Sequence, residues 1–140
     1  MKKREAVSNI MKKDLITLDL NGGTLMQAKS MMEDNHVRHL PVVRGEILVG
    51  ILSLTDIHRI SFGANYGQGE QVDNSIFNSL TVEQVMKSEP RTVNAHTTIK
   101  EVAEQLAVEE FHALPVVDEQ NKLEGIVTTT DLVNYLIDLY

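Results

Sequence analysis

Two stretches of the chain place a hydroxyl three residues ahead of a carboxylate, where an apolar helix is about to begin: Gly50-x-x-Ser53-x-x-Asp56 and Gly125-x-x-Thr128-x-x-Asp131. A carboxylate at the mouth of a cleft offers two acceptor oxygens at the spacing of a ribose diol, and so suits a nucleoside. The hydroxyl, beside the open backbone N–H groups of a helix start, suits an anion. The same Ser/Thr-x-x-Asp spacing also caps a helix without any ligand, and spacing alone does not choose between the two.

Other chemistries find little support. The sequence holds no cysteine, no Walker loop and no Gly-x-Ser-x-Gly, so nucleophilic and P-loop chemistry have no carrier. Asp56 and Asp131 are repeat equivalents, so they belong to two half-sites and do not flank one bond as an acid–base pair would. His36, His58 and His96 read as surface or helix-end residues, and His36-x-x-His39 lacks the single helical face of a metal pair. Met31 and Met32 read as core. The expectation is a protein that is not an enzyme and needs no cofactor or metal.

The elements that carry the two motifs occur twice. Val7-Ser8-Asn9-Ile10-Met11-Lys12 recurs as Val82-Glu83-Gln84-Val85-Met86-Lys87, and Leu40-Pro41-Val42-Val43 recurs unchanged as Leu114-Pro115-Val116-Val117. The offset grows by one residue between the prolines and the glycines, which a loop tolerates and a strand does not. Each copy predicts a short strand (Ile16 to Leu18; Thr92-Val93) and then a helix behind a capping box, Thr24-x-x-Gln27 and Thr98-x-x-Glu101. Leu25, Ala28 and Met32 form the core stripe of the first helix, and Ile99, Val102, Ala103 and Leu106 that of the second. Two strands follow, Leu40 to Val43 and Ile47 to Leu52 around the turn Arg44-Gly45-Glu46, repeated in Leu114 to Val127. A last helix begins near Thr55 and near Thr130. The fold class is α/β (α+β), two pseudo-symmetric β-α-β-β-α repeats packed through their sheets, with residues 7–60 as repeat 1, 61–80 as a Gly- and Asn-containing linker and 81–140 as repeat 2.

Composition bounds the partners. With 140 residues, 42% hydrophobic and 24% charged, the chain reads as one soluble globular module standing alone. A net charge of -7 argues against nucleic acid or an anionic membrane as partner. No run is apolar enough for a signal peptide or a membrane span, and the absence of cysteine suits a reducing compartment, so the cytoplasm is expected.

The order Val-x-x-Ile-Met, Thr-Leu-x-x-Ala, Val-Arg-His-Leu-Pro-Val-Val and Leu-Val-Gly-Ile-Leu-Ser-x-x-Asp resembles the CBS domain, and Val82 to Leu136 resembles a second copy. Such domains occur as pairs, called Bateman modules, that sense adenosine-containing ligands. The resemblance implies a ligand in the cleft between the repeats: AMP, ADP or ATP, or alternatively S-adenosylmethionine or NAD. It assigns the ligand motif to Gly50, Ser53, Asp56, Gly125, Thr128 and Asp131, and the base contact to Thr17 and Thr92. The phosphate end falls to Arg38 and His39, facing His112. Ala113 stands where several nucleotide sensors carry arginine, and Leu132 to Tyr140 holds no Lys or Arg, so few cations are available for a triphosphate. The alternative function is a dimerisation or docking module without a nucleotide. In either case a homodimer is expected, from the apolar stripes Ile57 and Ile60 and Leu132, Val133, Leu136 and Ile137, and a target protein remains open.

Overall fold

The computed structural model describes residues 4–64, 79–108 and 112–140, with side chains described in all of these except 61–64. Its elements fall into two compact units, one formed by Ile16–Glu89 and the other by Met1–Leu15 together with Pro90–Tyr140.

In the first unit a helix α1 spans Leu25–Asn35 because Thr24 caps it. The Thr24 hydroxyl accepts from the Gln27 N–H at 3.1 Å, and the Gln27 side chain accepts from the Thr24 N–H at 3.1 Å, the reciprocal box expected from the spacing. The helix ends at His36, whose backbone is left-handed. Its buried face, Leu25, Ala28 and Met32, packs on a four-stranded sheet of order β1-β2-β3-β4, namely β1 (Leu18–Asp19), β2 (His39–Arg44), β3 (Ile47–Ser53) and β4 (Lys87–Ser88). β1 runs parallel to β2 and the other neighbours are antiparallel. The first strand therefore lies slightly C-terminal to its expected place, because Leu18 is the residue that enters both the core and the ladder opposite Val42. Gly45 turns β2 into β3 at a φ of 65°, a left-handed conformation that favours glycine.

The second unit repeats this frame. β5 (Ala113–Val117) pairs antiparallel with β6 (Leu123–Thr128), and Val93 alone bridges Val116 in parallel where β1 meets β2 in the first unit. Both hairpins carry a bulge at the same place, Val42/Val43 and Val116/Val117. The extra residue of the second copy sits in the turn, since Val43 opposes Leu48 whereas Val117 opposes Leu123.

Each hairpin leads into a closing helix, α2 (Leu54–Ala64) or α5 (Thr129–Asp138). α2 continues through 61–64, the first residues of the expected linker, while 65–78 lie outside the described residues. Thr81 then caps a one-turn helix, α3 (Val82–Val85), and α4 (Ile99–Val108) follows Thr98, whose hydroxyl accepts from the Glu101 N–H at 3.1 Å. Among the described residues no helix is long and apolar enough to cross a membrane.

The leading segments of the two repeats are exchanged between the units. Val7 is fully buried with Val93, Val102, Leu114, Val116 and Val127 in the second unit, whereas Val82 and Met86 are buried with Leu18, Leu40, Leu52 and Ile57 in the first. Backbone bonds hold both arms. Lys12 and Ile126 exchange N–H···O bonds of 2.8 and 3.0 Å, and β4 adds to β3 through Gly50 opposite Ser88 and Ile51 opposite Lys87. The Tyr135 hydroxyl donates to Glu5 at 2.9 Å, tying the first arm to α5, and that bond raises the phenol above its ordinary value.

The stripes expected to form an interface divide. Ile57 is fully buried in the core of its own unit, and Ile60 and Leu132 are partly buried against their cores, so these three leave little free apolar surface. Val133, Leu136 and Ile137 are 49%, 51% and 64% exposed.

Candidate functional site

In the first unit the hairpin register brings the candidate residues to one end of the sheet. His39 opens β2 opposite Ser53, which closes β3, and the Leu54 N–H donates to the Arg38 carbonyl at 2.8 Å. Arg38, His39, Ser53 and the first turn of α2 are thus neighbours through backbone bonds. Thr17 immediately precedes β1, and the parallel pairing of β1 with β2 sets it towards the same end. The Ser53 hydroxyl accepts from the Asp56 N–H at 3.0 Å, which is half of a capping box. The Asp56 carboxylate meets Arg59 at 3.4 Å, with the two side chains 33% and 75% exposed.

The second unit builds the same corner with different side chains. Thr92 precedes Val93, whose N–H donates to the Pro115 carbonyl at 3.1 Å, so Thr92 holds the position of Thr17. Ala113 stands opposite Thr128, where the first unit pairs His39 with Ser53, and the Thr129 N–H donates to the His112 carbonyl at 3.0 Å. Here the box is complete. Asp131 Oδ2 accepts the Thr128 N–H at 2.8 Å and its hydroxyl at 3.1 Å, and the Thr128 oxygen accepts the Asp131 N–H at 3.3 Å. Asp131 is the buried member of the pair, 9% exposed.

Gly50 and Gly125 belong to the motif by spacing, but their close neighbours are the exchanged arms. A Cβ on Gly50 would strike the Met86 side chain, and one on Gly125 would lie 2.6 Å from Met11 Sδ and 2.9 Å from the Lys12 carbonyl oxygen. The close approach of a methionine thioether thus accounts for glycine at both positions. Spacing within the motif does not point to Met11 and Met86 as neighbours of the glycines; the recurring Val-x-x-x-Met of each leading segment is the signal that marks them. Arg59, one turn after Asp56, is the other unanticipated neighbour. His58 is exposed, and the His96 N–H donates to Asn94 Oδ1 at 2.8 Å. No group of three or more His, Asp or Glu among the described residues could hold a metal ion.

A CBS domain profile matches residues 7–63 and 82–138. The chain is 29% identical over 133 residues to the uncharacterized protein MJ1225 of Methanocaldococcus jannaschii, covering 94% of this chain and 47% of that protein. The crystal structure of MJ1225, described as a putative archaeal homolog of γ-AMPK, superimposes with a TM-score of 0.83 at 32% identity over 97% of this chain and 49% of that one. The CBS domain pair of protein MJ0100, solved with 5′-methylthioadenosine and S-adenosyl-L-methionine, gives a TM-score of 0.78 at 26% identity, covering 96% and 98% of the two chains. CBSX2 in complex with AMP shares the fold with a TM-score of 0.80 at 24% identity, covering 96% and 98%. The chain spans about half the length of MJ1225 and less than a quarter of two curated relatives that bear enzyme names. The duplicated profile, the doubled corner and these likenesses agree: the chain belongs to the CBS domain family, as a pair of CBS domains.

Proposed function

We propose that this CBS pair is a non-catalytic regulatory module that binds an adenosine-containing ligand. The observation that carries the reading is the doubled corner, in which a backbone-bonded strand start and helix start bring a donor side chain, a hydroxyl and a carboxylate together at equivalent places. In this reading the ribose diol donates to Asp56 or Asp131, and Thr17 or Thr92 meets the base. Ser53 or Thr128 stands by the sugar and anion. Arg38, His39 and His112 take the charged end, with Gly50 and Gly125 as part of the frame. The ligands bound to the MJ0100 pair share the adenosyl group, which supports the ligand class. AMP suits the few available cations better than ATP, and S-adenosylmethionine is the second choice.

The test is a thermal melt of the chain against AMP, ADP, ATP, NAD, S-adenosylmethionine and adenosine. A ligand that binds only the folded state adds about 2.7 kcal/mol at a hundredfold excess over Kd, or roughly 10 °C in a chain of this size. AMP should raise the midpoint more than adenosine, and Arg38→Ala should erase that difference. If no adenosine compound moves the midpoint at millimolar concentration, the adenosyl reading is wrong and a docking module without a nucleotide replaces it. The exposed Val133, Leu136 and Ile137 support a homodimer formed through α5.

A further inference from the structure

The two corners differ in what their carboxylates and hydroxyls still have to offer, and we propose that a phosphate-bearing adenosyl ligand uses only the Ser53/Asp56 corner, so that each chain binds one such ligand and not two. The inference rests on the adenosyl reading and deepens it. At the second corner the Thr128 hydroxyl proton is already donated to Asp131 Oδ2, which also holds the Thr128 N–H, and Asp131 is 9% exposed. Turning that carboxylate to a ribose would take it from two donors and open the first turn of α5. At the first corner the Ser53 oxygen accepts one N–H and its proton is not donated to Asp56, leaving it for a ligand. The Asp56 side chain is 33% exposed, and its partner is an i,i+3 arginine that is 75% exposed and 3.4 Å away. Such a surface pair is weak and easily exchanged for a ligand contact.

The phosphate side points the same way. Arg38 offers a planar fork of donors matched to phosphate oxygens, and His39 stands beside it opposite Ser53. At the matching places the second corner has His112, an imidazole, and Ala113, which brings no side-chain donor.

Calorimetric titration of the full chain with AMP tests this directly. One equivalent should bind per chain. Asp56→Asn keeps the backbone N–H on Ser53, so it should melt within about 2 °C of the parent while its AMP affinity falls about tenfold or more. Arg38→Ala, at an exposed position, should lose affinity to a similar degree and serves as the second variant should Asp56→Asn fold poorly. Two equivalents of comparable affinity in the parent overturn the inference, as does an Asp56→Asn variant that folds and binds AMP as the parent does. The absence of heat with AMP, S-adenosylmethionine and methylthioadenosine alike would instead remove the adenosyl reading, and this inference with it.

Discussion

The glycine of each motif sits under a methionine of an exchanged arm, but the two junctions differ in what can move. All three atoms nearest to a Cβ on Gly50 belong to the Met86 side chain, whereas a Cβ on Gly125 would also meet the Lys12 carbonyl oxygen. That carbonyl accepts the Ile126 N–H at 3.0 Å, so it cannot retreat without loss of the bridge. A methionine can turn to another rotamer, and a bonded backbone cannot. Duplication has thus kept the frame while leaving one copy tighter than the other.

The largest effect should come from breaking this difference. Gly125→Ala should cost about 3 kcal/mol in urea denaturation and Gly50→Ala about 1 kcal/mol, the upper and lower ends of the usual range for overpacking. Met86→Ala alone opens a cavity and should cost about 2 to 3 kcal/mol. Combined with Gly50→Ala, it should remove most of the penalty of the glycine change, a coupling of about 1 kcal/mol in a double-mutant cycle. Equal costs at the two glycines would show that the Lys12 bridge yields as readily as a side chain.

The helix starts sharpen the comparison at a smaller scale. Asp131→Ala keeps the Asp131 N–H on the Thr128 oxygen but removes both bonds that the buried carboxylate accepts from Thr128, and should cost about 1 to 2 kcal/mol. Asp56→Ala leaves the Ser53 cap in place and removes only an exposed pair, so its cost should stay below about 0.5 kcal/mol. Denaturation midpoints of the two variants decide this, and similar values would mean that the first corner is built as firmly as the second.

The closing helices give the smallest effect on the fold. Ile57 of α2 is fully buried, while α5 leaves Val133 and Ile137 about half exposed or more. Val133→Gln with Ile137→Gln should change the stability of the unit by no more than about 0.5 kcal/mol per site. In light scattering the parent should run at twice the 15.7 kDa chain mass and this double variant at the single mass. A parent that stays at the single mass across micromolar concentrations would end the homodimer reading.

Much of the architecture was legible in local chemistry. Thr24-x-x-Gln27 announced α1 because a capping box is complete within four residues. The paired β-branched runs announced the hairpins, and the one-residue change of offset was expected in a loop, where Val117 opposite Leu123 places it. The short first strand lies a little C-terminal to where its apolar residues point, at Leu18–Asp19, since neighbouring apolar residues do not declare which of them enters the ladder. At the site, the resemblance to the CBS domain implies Arg38, His39 and Ser53, but their adjacency depends on the register of β2 against β3.

The sequence by itself determined the duplication, the elements of each copy and the residue types at each corner, because repeats, caps and apolar periods are local and additive. Which unit receives each leading arm was beyond it. Val7 and Met11 have the same spacing as Val82 and Met86, so either arm satisfies either sheet, and only the path of the chain in three dimensions decides. The different use of Asp56 and Asp131 was beyond it too. Both follow a hydroxyl at one spacing, and the choice between an exposed pair with Arg59 and a buried box with Thr128 is made by the packing around each helix start.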